Sequence, residues 1–360
     1  MDSRLKICVG VYKFLIFIVV KKNTKLFCIE KYNNRTSKTK FFKLYLKLKN
    51  KDRYYFIVNT TMSSQKPFIK WVGGKRQLLD VINRKIPLSM NNYHEIFLGG
   101  GSVLLMILWL QNENKIKITN KVYAYDINKG LIYVYKNIQT NKEELFTHIT
   151  KYINMYDSLD GIIINRKPKT LEEAKTSKES YYYWLRDIFN KMEDKTEVEY
   201  SAIFMFLNKT CFRGMYREGP NGYNVPYGHY KKTPTIITKE ELDNVSVLIK
   251  NVEFIHSDFK KSIEKTEEGD FIYLDPPYAP ETKNSFVGYV NDGFDLNMHT
   301  SLFEEILKLN EKKAKFLMSN SRVESVLEKF KAYNIEDVIA RRAINSKNPG
   351  SITTEVLISN

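Results

Sequence analysis

The most distinctive chemistry in the sequence belongs to Asp275-Pro276-Pro277-Tyr278, which directly follows the apolar stretch 271–274. A short apolar run predicts a buried strand, and ligands in open α/β sheets bind beyond the carboxyl ends of strands. There the Asp275 carboxylate and the rigid Pro276 carbonyl can accept the two hydrogens of an exocyclic amine, while Tyr278 offers a ring for a base. Such acceptors counter delocalisation of the amine lone pair and aim it at a methyl donor. The motif therefore predicts activation of an amine such as N6 of adenine.

A glycine-rich turn predicts a second ligand-binding feature. Gly99-Gly100-Gly101 lies between an apolar strand and an apolar helix, where a turn without side chains lets a ligand approach the backbone. Asp126 follows the next predicted strand, and a carboxylate in that position can accept hydrogen bonds from ribose hydroxyls. The glycines and Asp126 together predict a nucleoside site.

A third feature, upstream of that turn, combines Trp71 with Gly73-Gly74-Lys75. The indole can cover an apolar face of a ligand, and the Lys75 ammonium can hold a carboxylate such as that of a methionine moiety. Taken with the nucleoside site, these residues favour S-adenosyl-L-methionine as the cofactor.

The elements that must position these residues follow an α/β pattern. Seven strands are predicted, at 93–97, 122–125, 252–255, 271–274, 315–318, 335–340 and 352–358. About 125 residues separate the second strand from the third, which predicts an inserted domain. We therefore expect one α/β domain formed by residues 62–134 and 251–360, with an inserted domain at 135–250.

The charge is concentrated at the N-terminus. Of the net +16, residues 1–61 contribute +12, with 15 Lys and Arg against 3 Asp and Glu. These residues are predicted to be a non-functional basic extension, and Met62 offers an alternative start. A DNA-tethering arm is the competing interpretation. The apolar run 9–20 is too short to cross a membrane, which needs roughly 20 residues, so no stable membrane association is expected.

The three cysteines, Cys8, Cys28 and Cys211, are too few and too scattered for a disulfide framework, and no CxxC spacing indicates zinc. We therefore expect no metal. A reducing intracellular compartment is the expected location.

These motifs occur in an order that resembles one known family. Residues 66–360 are similar to the Dam-type DNA adenine methyltransferases, the D12 class or alpha group, in the segments 70–75, 97–102, 126–128, 224–232 and 275–278. The resemblance implies a Rossmann-like, seven-stranded sheet of the S-adenosylmethionine-dependent methyltransferases with an inserted, mainly helical target-recognition domain. It also implies transfer of a methyl group to N6 of a flipped-out adenine in double-stranded DNA.

The resemblance also implies roles for single residues. The cofactor pocket would be lined by Trp71, Lys75, Phe97, Gly99, Gly101, Asp126, Asp258 and Asp275, with Asp258 near the adenine of the cofactor. In the inserted domain, Phe212 would wedge into the base stack and Arg217 would read a guanine. The other residues predicted to contact DNA are Arg213, Asn224, Lys231 and Lys232, of which the two lysines would touch phosphates.

Two positions depart from the family pattern. Ile96 stands where the family usually has proline, and we expect this only to loosen a turn. Arg213 stands where relatives specific for GATC commonly have asparagine. The target is therefore predicted to be a short palindrome containing G and A, with GATC leading and CATG or GTAC open.

Other functions remain open from the sequence. Related motifs occur in enzymes that methylate RNA, and an Asn-Pro-Pro-Tyr form occurs in enzymes that methylate protein glutamine, against which Asp275 argues. A DNA-binding relative without activity is an alternative of another class. A cognate restriction endonuclease acting on the same site is a possible partner of the DNA methyltransferase.

Overall fold

The computed structural model describes residues 65–279, 294–341 and 352–360. Within residues 1–64 it describes four strands, Lys13–Leu15, Thr24–Asn34, Ser37–Leu48 and Tyr55–Val58, which pair antiparallel in that order. The chain divides into two compact units, Met1–Lys66 and Pro67–Asn360. Every residue with a predicted chemical role lies in the second unit. The remainder of the predicted basic extension lies outside the described residues, and its role stays a prediction.

The second unit contains one large sheet, whose strands in chain order are β1 (Tyr93–Glu95), β2 (Val122–Asp126), β3 (Val252–His256), β4 (Phe271–Leu274), β5 (Lys315–Ser321), β6 (Asn334–Arg341) and β7 (Ile352–Ser359). Across the sheet the order is β3-β2-β1-β4-β5-β7-β6, with β7 antiparallel to both of its neighbours and the other pairs parallel. Each strand overlaps one predicted from the sequence. The predicted α/β fold with a seven-stranded sheet is confirmed.

The helices described in this unit are α1 (Leu79–Asn83), α2 (Ser102–Asn112), α3 (Lys129–Thr140), α4 (Lys142–Ser158), α5 (Leu171–Ala174), α6 (Lys178–Lys191), α7 (Val198–Thr210), α8 (Lys239–Leu248), α9 (Phe259–Glu264), α10 (Leu296–Glu311) and α11 (Glu324–Lys329). Polar side chains cap the N-termini of several of these helices. Asn128 caps α3 by accepting from the Leu131 N–H, and Thr238 with Glu241 forms a capping box at α8. Apolar side chains of the sheet and α10, including Ile272, Phe316 and Leu302, are fully buried against each other.

The insertion between β2 and β3 is mainly helical, as predicted. It comprises α3 to α8 and a short hairpin whose strands are Glu218–Gly219 and Gly222–Tyr223. Helix α3 runs without interruption through residue 135, where the sequence predicted the start of a separate domain.

The order in which strands are added to the sheet reverses at β1, which lies between β2 and β4. Tyr93 pairs with Val122 on one side and with Phe271 on the other, both in parallel register. The carboxyl ends of β1 and β4 therefore lie side by side, at the switch point where open α/β sheets bind ligands. Just beyond β1, the Ile96 N–H donates to the Tyr273 carbonyl at 3.1 Å. Proline has no N–H to donate, so isoleucine adds a hydrogen bond at this turn rather than loosening it.

Candidate active site

Lys75 connects the turn after β1 to the motif after β4. Its Nζ lies 2.8 Å from Asp275 Oδ1, donates to the Gly73 carbonyl at 2.7 Å, and sits 4.7 Å from the centroid of the Tyr278 ring. Its backbone N–H donates to Ser102 Oγ, at the first residue of α2, over 3.1 Å. The predicted cofactor lysine is thus an ion-pair partner of the predicted catalytic carboxylate.

The Asp275 carboxylate is held in a largely buried environment. Burial raises the pKa of Asp275 above its usual range, and the Lys75 ammonium opposes that rise. Pro276 beside it is buried. Asp275 and Pro276, which the sequence predicts to be the two acceptors for an amine, therefore lie at the carboxyl end of β4 in a largely buried environment.

Contacts from distant strands hold the rest of the motif, and these were not predicted. The Tyr278 hydroxyl donates to Glu355 of β7 at 2.7 Å. The carbonyl and N–H of Ala279 bond to Ser321 Oγ at 2.6 Å and to Asn320 Oδ1 at 3.1 Å. Nothing in the local sequence around these partners signals such a role, because the pairing of β4 with β5 and of β5 with β7 brings them to the site.

The glycine turn has conformations and neighbours that exclude larger residues. Gly99 and Gly101 have φ angles of +49° and +65°, in the left-handed region. A Cβ at Gly99 would lie 2.7 Å from Trp71 Cδ1, and one at Gly101 would lie 2.5 Å from the Tyr135 hydroxyl oxygen. The turn is therefore a close junction between Trp71, α2 and α3.

Asp126 lies beside this turn at the carboxyl end of β2. Its two oxygens accept from the N–H groups of Gly99 and Asn128, each at 2.9 Å. Burial raises the pKa of Asp126, and these hydrogen bonds oppose the rise. Each carboxylate oxygen has a second lone pair, so the carboxylate can still accept hydrogen bonds from a ligand.

Ile127 is an additional apolar residue at this edge of the sheet that the sequence reasoning missed. Its side chain is 58% exposed although it follows β2 directly, between Asp126 and Asn128. The available signal in the sequence was an apolar side chain between Asp126, a predicted pocket residue, and the polar residue Asn128. Exposed in this position, it offers an apolar surface beside Asp126.

Phe97 and Asp258 lie on neighbouring parts of the same edge. Asp258 caps α9 by accepting from the Lys261 N–H at 3.1 Å, and the Ser257 N–H donates to the Asp126 carbonyl at 3.2 Å. Phe97 stacks on Phe259, with ring centroids 6.3 Å apart. Asp258 therefore has a structural role as a helix cap, in addition to its predicted role near the cofactor.

Glu95 is a buried carboxyl group that the sequence reasoning also missed. It accepts from the Tyr93 hydroxyl at 2.6 Å and from the backbone of Leu104, in the first turn of α2. Gly101, the capping residue of α2, has no side chain to accept that bond, so Glu95 supplies the acceptor. Burial raises the pKa of Glu95 to about 8, and the Tyr93 hydrogen bond opposes the rise.

The residues predicted to contact DNA lie together in one loop that follows α7. Phe212 is 41% exposed and begins a 3-10 turn, Phe212–Gly214, in which Arg213 has a φ angle of +56°. The Arg213 guanidinium lies 5.1 Å from the Phe212 ring centroid. The paired strands begin only at Glu218, so the hairpin expected at 212–217 lies a few residues later in the chain.

The remaining predicted DNA-contact residues, Arg217, Asn224, Lys231 and Lys232, are exposed. Arg217 Nε donates to Asn224 Oδ1 at 2.6 Å, and the Asn224 N–H donates to the Arg217 carbonyl at 3.1 Å. Two exposed residues that the resemblance assigns to DNA contact are therefore in direct contact across the base of the hairpin.

Among the described residues, no cluster of His, Cys, Asp and Glu side chains is arranged to hold a metal ion. None of the helices in this part of the chain is long and apolar enough to cross a membrane.

Comparison with known proteins assigns this geometry to a family. The model of the D12 class N6 adenine-specific DNA methyltransferases matches residues 71–344. This range contains the glycine turn, Asp126, the loop after α7 and the Asp-Pro-Pro-Tyr motif.

Individual relatives agree with this match. The type II methyltransferase M.MjaIII of Methanocaldococcus jannaschii is 36% identical over 291 residues, which cover 78% of this chain and 93% of that protein. The type II methyltransferase M1.LlaDCHI of Lactococcus lactis subsp. cremoris is 31% identical over 82% of this chain and 95% of its own length. The DNA adenine methylase of Escherichia coli K12 is 28% identical over 79% of this chain and 91% of its own. The chain belongs to the D12 class of N6 adenine-specific DNA methyltransferases.

Proposed function

We propose that this enzyme transfers a methyl group from S-adenosyl-L-methionine to N6 of a flipped-out adenine in a short palindromic site of duplex DNA. The observation that carries the proposal is the position of Lys75. It is bonded to Ser102 beside the glycine turn and to Asp275 in the Asp-Pro-Pro-Tyr motif. The proposed donor site and the proposed acceptor site are therefore directly connected.

The residues around the turn fit the donor. Asp126 has lone pairs for ribose hydroxyls, and Ile127 offers an apolar face for an adenine ring. The glycine turn lies beside Asp126 at the carboxyl end of β1, where open sheets bind ligands. The contacts of Lys75 with Asp275 and Gly73 use two of the three N–H groups of its ammonium. The third N–H group can bind the carboxylate of S-adenosyl-L-methionine. When bound, S-adenosyl-L-methionine supplies an electrophilic methyl group on a sulfonium sulfur.

The residues after β4 prepare the amine. The Asp275 carboxylate and the Pro276 carbonyl each accept one hydrogen of N6, which draws the nitrogen toward tetrahedral geometry and frees its lone pair. The negative charge of Asp275 favours the positive charge that develops on the nitrogen. Lys75 favours the ionised form of Asp275 and orients the carboxylate. Tyr278, anchored by Glu355, provides a ring against which the base can stack.

The loop after α7 is the proposed surface for reading DNA. Phe212 is exposed in the position predicted for a wedge, and Arg217 is exposed in the position predicted for a guanine reader. The Arg217 Nε bond to Asn224 leaves the two terminal nitrogens of the guanidinium for a base. An arginine fork pairs with guanine O6 and N7 in the major groove, so the favoured targets contain G as well as A. GATC leads, and CATG and GTAC are the other candidates because Arg213 departs from the pattern of GATC-specific relatives.

Transfer of a tritiated methyl group tests the proposal directly. Wild-type protein is incubated with tritiated S-adenosyl-L-methionine and duplexes carrying GATC, CATG or GTAC, in parallel with RNA of the same sequence. We expect label in one DNA duplex, on N6 of adenine, and no label with Asp275→Ala. Asp337→Ala is the matched control, because Asp337 is half exposed in a surface ion pair with Arg322 and should leave transfer unchanged.

The outcomes separate the alternative functions. Label in RNA alone would establish an RNA methyltransferase. Specific DNA binding without label would establish a DNA-binding relative without activity. More than about a tenth of the wild-type kcat in Asp275→Ala, a loss below ~1.4 kcal/mol, would exclude the role proposed for Asp275. A type II context with a cognate restriction endonuclease, as the names of two relatives suggest, would require that nuclease to cleave the same sequence.

A further inference from the structure

Tyr216 lies between the proposed guanine reader and the proposed donor site. It precedes Arg217 in the chain, and its ring stacks on Trp71 with centroids 5.4 Å apart and on Phe204 of α7 at 5.2 Å. The interplanar angles are 26° and 21°. A residue of the recognition loop is therefore part of an aromatic stack with a residue of the cofactor motif.

Trp71 is in turn packed against the glycine turn. The positions of a Cβ at Gly99 and at Gly100 lie 2.7 and 3.0 Å from Trp71 atoms, so no space remains between the indole and this backbone. The Gly99 N–H donates to Asp126. A shift of the indole therefore requires a shift of the turn, and the reverse also holds.

The phenol of Tyr216 makes a second connection to the Asp126 carboxylate, through Asn128. Its hydroxyl donates to Glu218 Oε1 at 2.5 Å, and the Asn128 side chain is a hydrogen-bond partner of the Tyr216 side chain. The Asn128 N–H donates to Asp126 Oδ1 at 2.9 Å. The ring and the hydroxyl of Tyr216 thus reach Asp126 by two separate routes, one through Trp71 and one through Asn128.

The backbone next to Trp71 is also held by residues of the insertion. Asn208 of α7 accepts from the Lys70 N–H at 2.9 Å and donates to the Lys70 carbonyl at 2.7 Å. Gly214 of the recognition loop has its Cβ position 2.3 Å from the Lys70 side chain. The segment that carries Trp71 is therefore held on the insertion rather than on the sheet alone.

We infer that Tyr216 is a positioning residue that couples donor binding to the reading of the target sequence. This inference rests on the proposed function. A donor that binds against Asp126 and the glycine turn orders Trp71 and Asn128, and these order Tyr216 and the neighbouring Arg217. A target duplex that orders the loop acts on the same residues in reverse. Coupling of this kind is reciprocal, so each ligand must strengthen binding of the other by the same factor.

The test measures the coupling ratio of each protein variant, which is the Kd for DNA without S-adenosylhomocysteine divided by the Kd for the same DNA with it. The Kd for the duplex that the enzyme methylates best is measured by fluorescence anisotropy with and without saturating S-adenosylhomocysteine, and the same is done for a duplex lacking the site. For wild-type protein we expect S-adenosylhomocysteine to tighten binding of the duplex that carries the site by roughly 5- to 150-fold. Its effect on the duplex lacking the site should be much smaller. For Tyr216→Leu we expect the ratio to fall to about one.

Two further variants distinguish coupling from general damage. Tyr216→Phe keeps the stack and loses the hydroxyl contacts, so its ratio should lie between those of wild type and Tyr216→Leu. Tyr183→Leu removes a buried tyrosine of the same insertion, packed on Tyr182 and beneath Arg186, and should keep the wild-type ratio. Because each ratio is taken within one variant, a fraction of inactive protein that is the same with and without S-adenosylhomocysteine cancels, and thermal melting under both conditions checks that each variant is fully folded.

The failures are distinguishable. A wild-type protein that bound neither the product nor the duplex would overturn the proposed function and this inference together. Binding of both with a ratio of one, or an unchanged ratio in Tyr216→Leu, would overturn the coupling and leave the proposed function standing.

Discussion

The Lys75 ammonium lies 2.8 Å from the Asp275 carboxylate, and the two side chains are only 6% and 18% exposed. The residues are far apart in sequence and meet because the segment before β1 crosses the end of β4. A lysine predicted to hold the donor is thereby bonded to the carboxylate predicted to bind the acceptor. This relationship makes the ionisation of Asp275 dependent on Lys75.

The first prediction concerns the pH dependence of activity in Lys75→Met. The Lys75 ammonium lowers the pKa of Asp275 against the effect of burial, so its removal should raise that pKa further. The proposed mechanism requires the ionised carboxylate, so the acidic limb of the kcat/KM profile should move to higher pH. Profiles of wild type and Lys75→Met measured across the acidic and neutral range provide the check. A limb at the same pH in both proteins would show that another group controls it.

The second prediction concerns donor affinity. Asp126→Ala should weaken binding of S-adenosyl-L-methionine by about 1 to 3 kcal/mol, the scale for a lost partner of a buried hydrogen-bonding group. Calorimetric titration measures the affinity, and thermal melting reports whether the lost bonds to Gly99 and Asn128 also loosen the fold.

Asp258→Ala is the comparison for Asp126→Ala, because Asp258 lies on the same sheet edge and caps α9. Loss of that cap should cost about 1 kcal/mol of stability. Reduced donor affinity in Asp258→Ala would support its predicted place beside the adenine of the cofactor. Unchanged affinity in a folded Asp126→Ala protein would remove Asp126 from the proposed donor site.

The third prediction concerns stability and pH at Glu95. Burial raises its pKa in the folded protein from the usual 4.5 to about 8. Between these values the folded state holds a proton that the unfolded state has released, so the free energy of unfolding should fall as pH rises from about 4.5 to about 8. Glu95→Gln imitates the protonated side chain, since its amide can donate to Tyr93 while its oxygen accepts from Leu104.

Denaturant unfolding of wild type and Glu95→Gln at several pH values tests this assignment. The variant should lack the decline contributed by Glu95, so its stability relative to wild type should increase with pH across that window. A constant difference between the two proteins would show that Glu95 does not keep its proton in the folded state.

The fourth prediction concerns the target sequence. Arg217→Ala should lose about 1 to 3 kcal/mol of discrimination at one guanine, because a bidentate arginine contact carries that much. Lys231→Ala should instead weaken binding to all sequences alike and reduce the salt slope by about 0.9, as expected for one lost phosphate contact. Methylation mapping by long-read sequencing, with DNA binding at several salt concentrations, measures both effects. Undiminished selectivity in Arg217→Ala would assign the guanine to another residue.

Much of the fold could be predicted because the formation of strands and turns depends mainly on neighbouring residues in the sequence. The runs 252–255 and 271–274 are apolar and short, and each forms a strand of the sheet. The glycines at 99 and 101 mark a turn that needs positive φ angles. The position of Asp275 after a buried strand was readable for the same reason, since a strand end and the residues that follow it are neighbours in the chain.

What only the tertiary structure decided is which distant residues share a site. Glu95 looked like an ordinary strand residue, and its burial with Tyr93 at the start of α2 appears only once β1 lies between β2 and β4. Tyr216 became a neighbour of Trp71 only through the packing of the insertion on the segment before β1. Local sequence determines which side chains are available and which backbone conformations they allow, because those depend on adjacent residues. The ion pair of Lys75 with Asp275 and the altered pKa values depend on burial and on charges from remote segments, which the folded chain alone brings together.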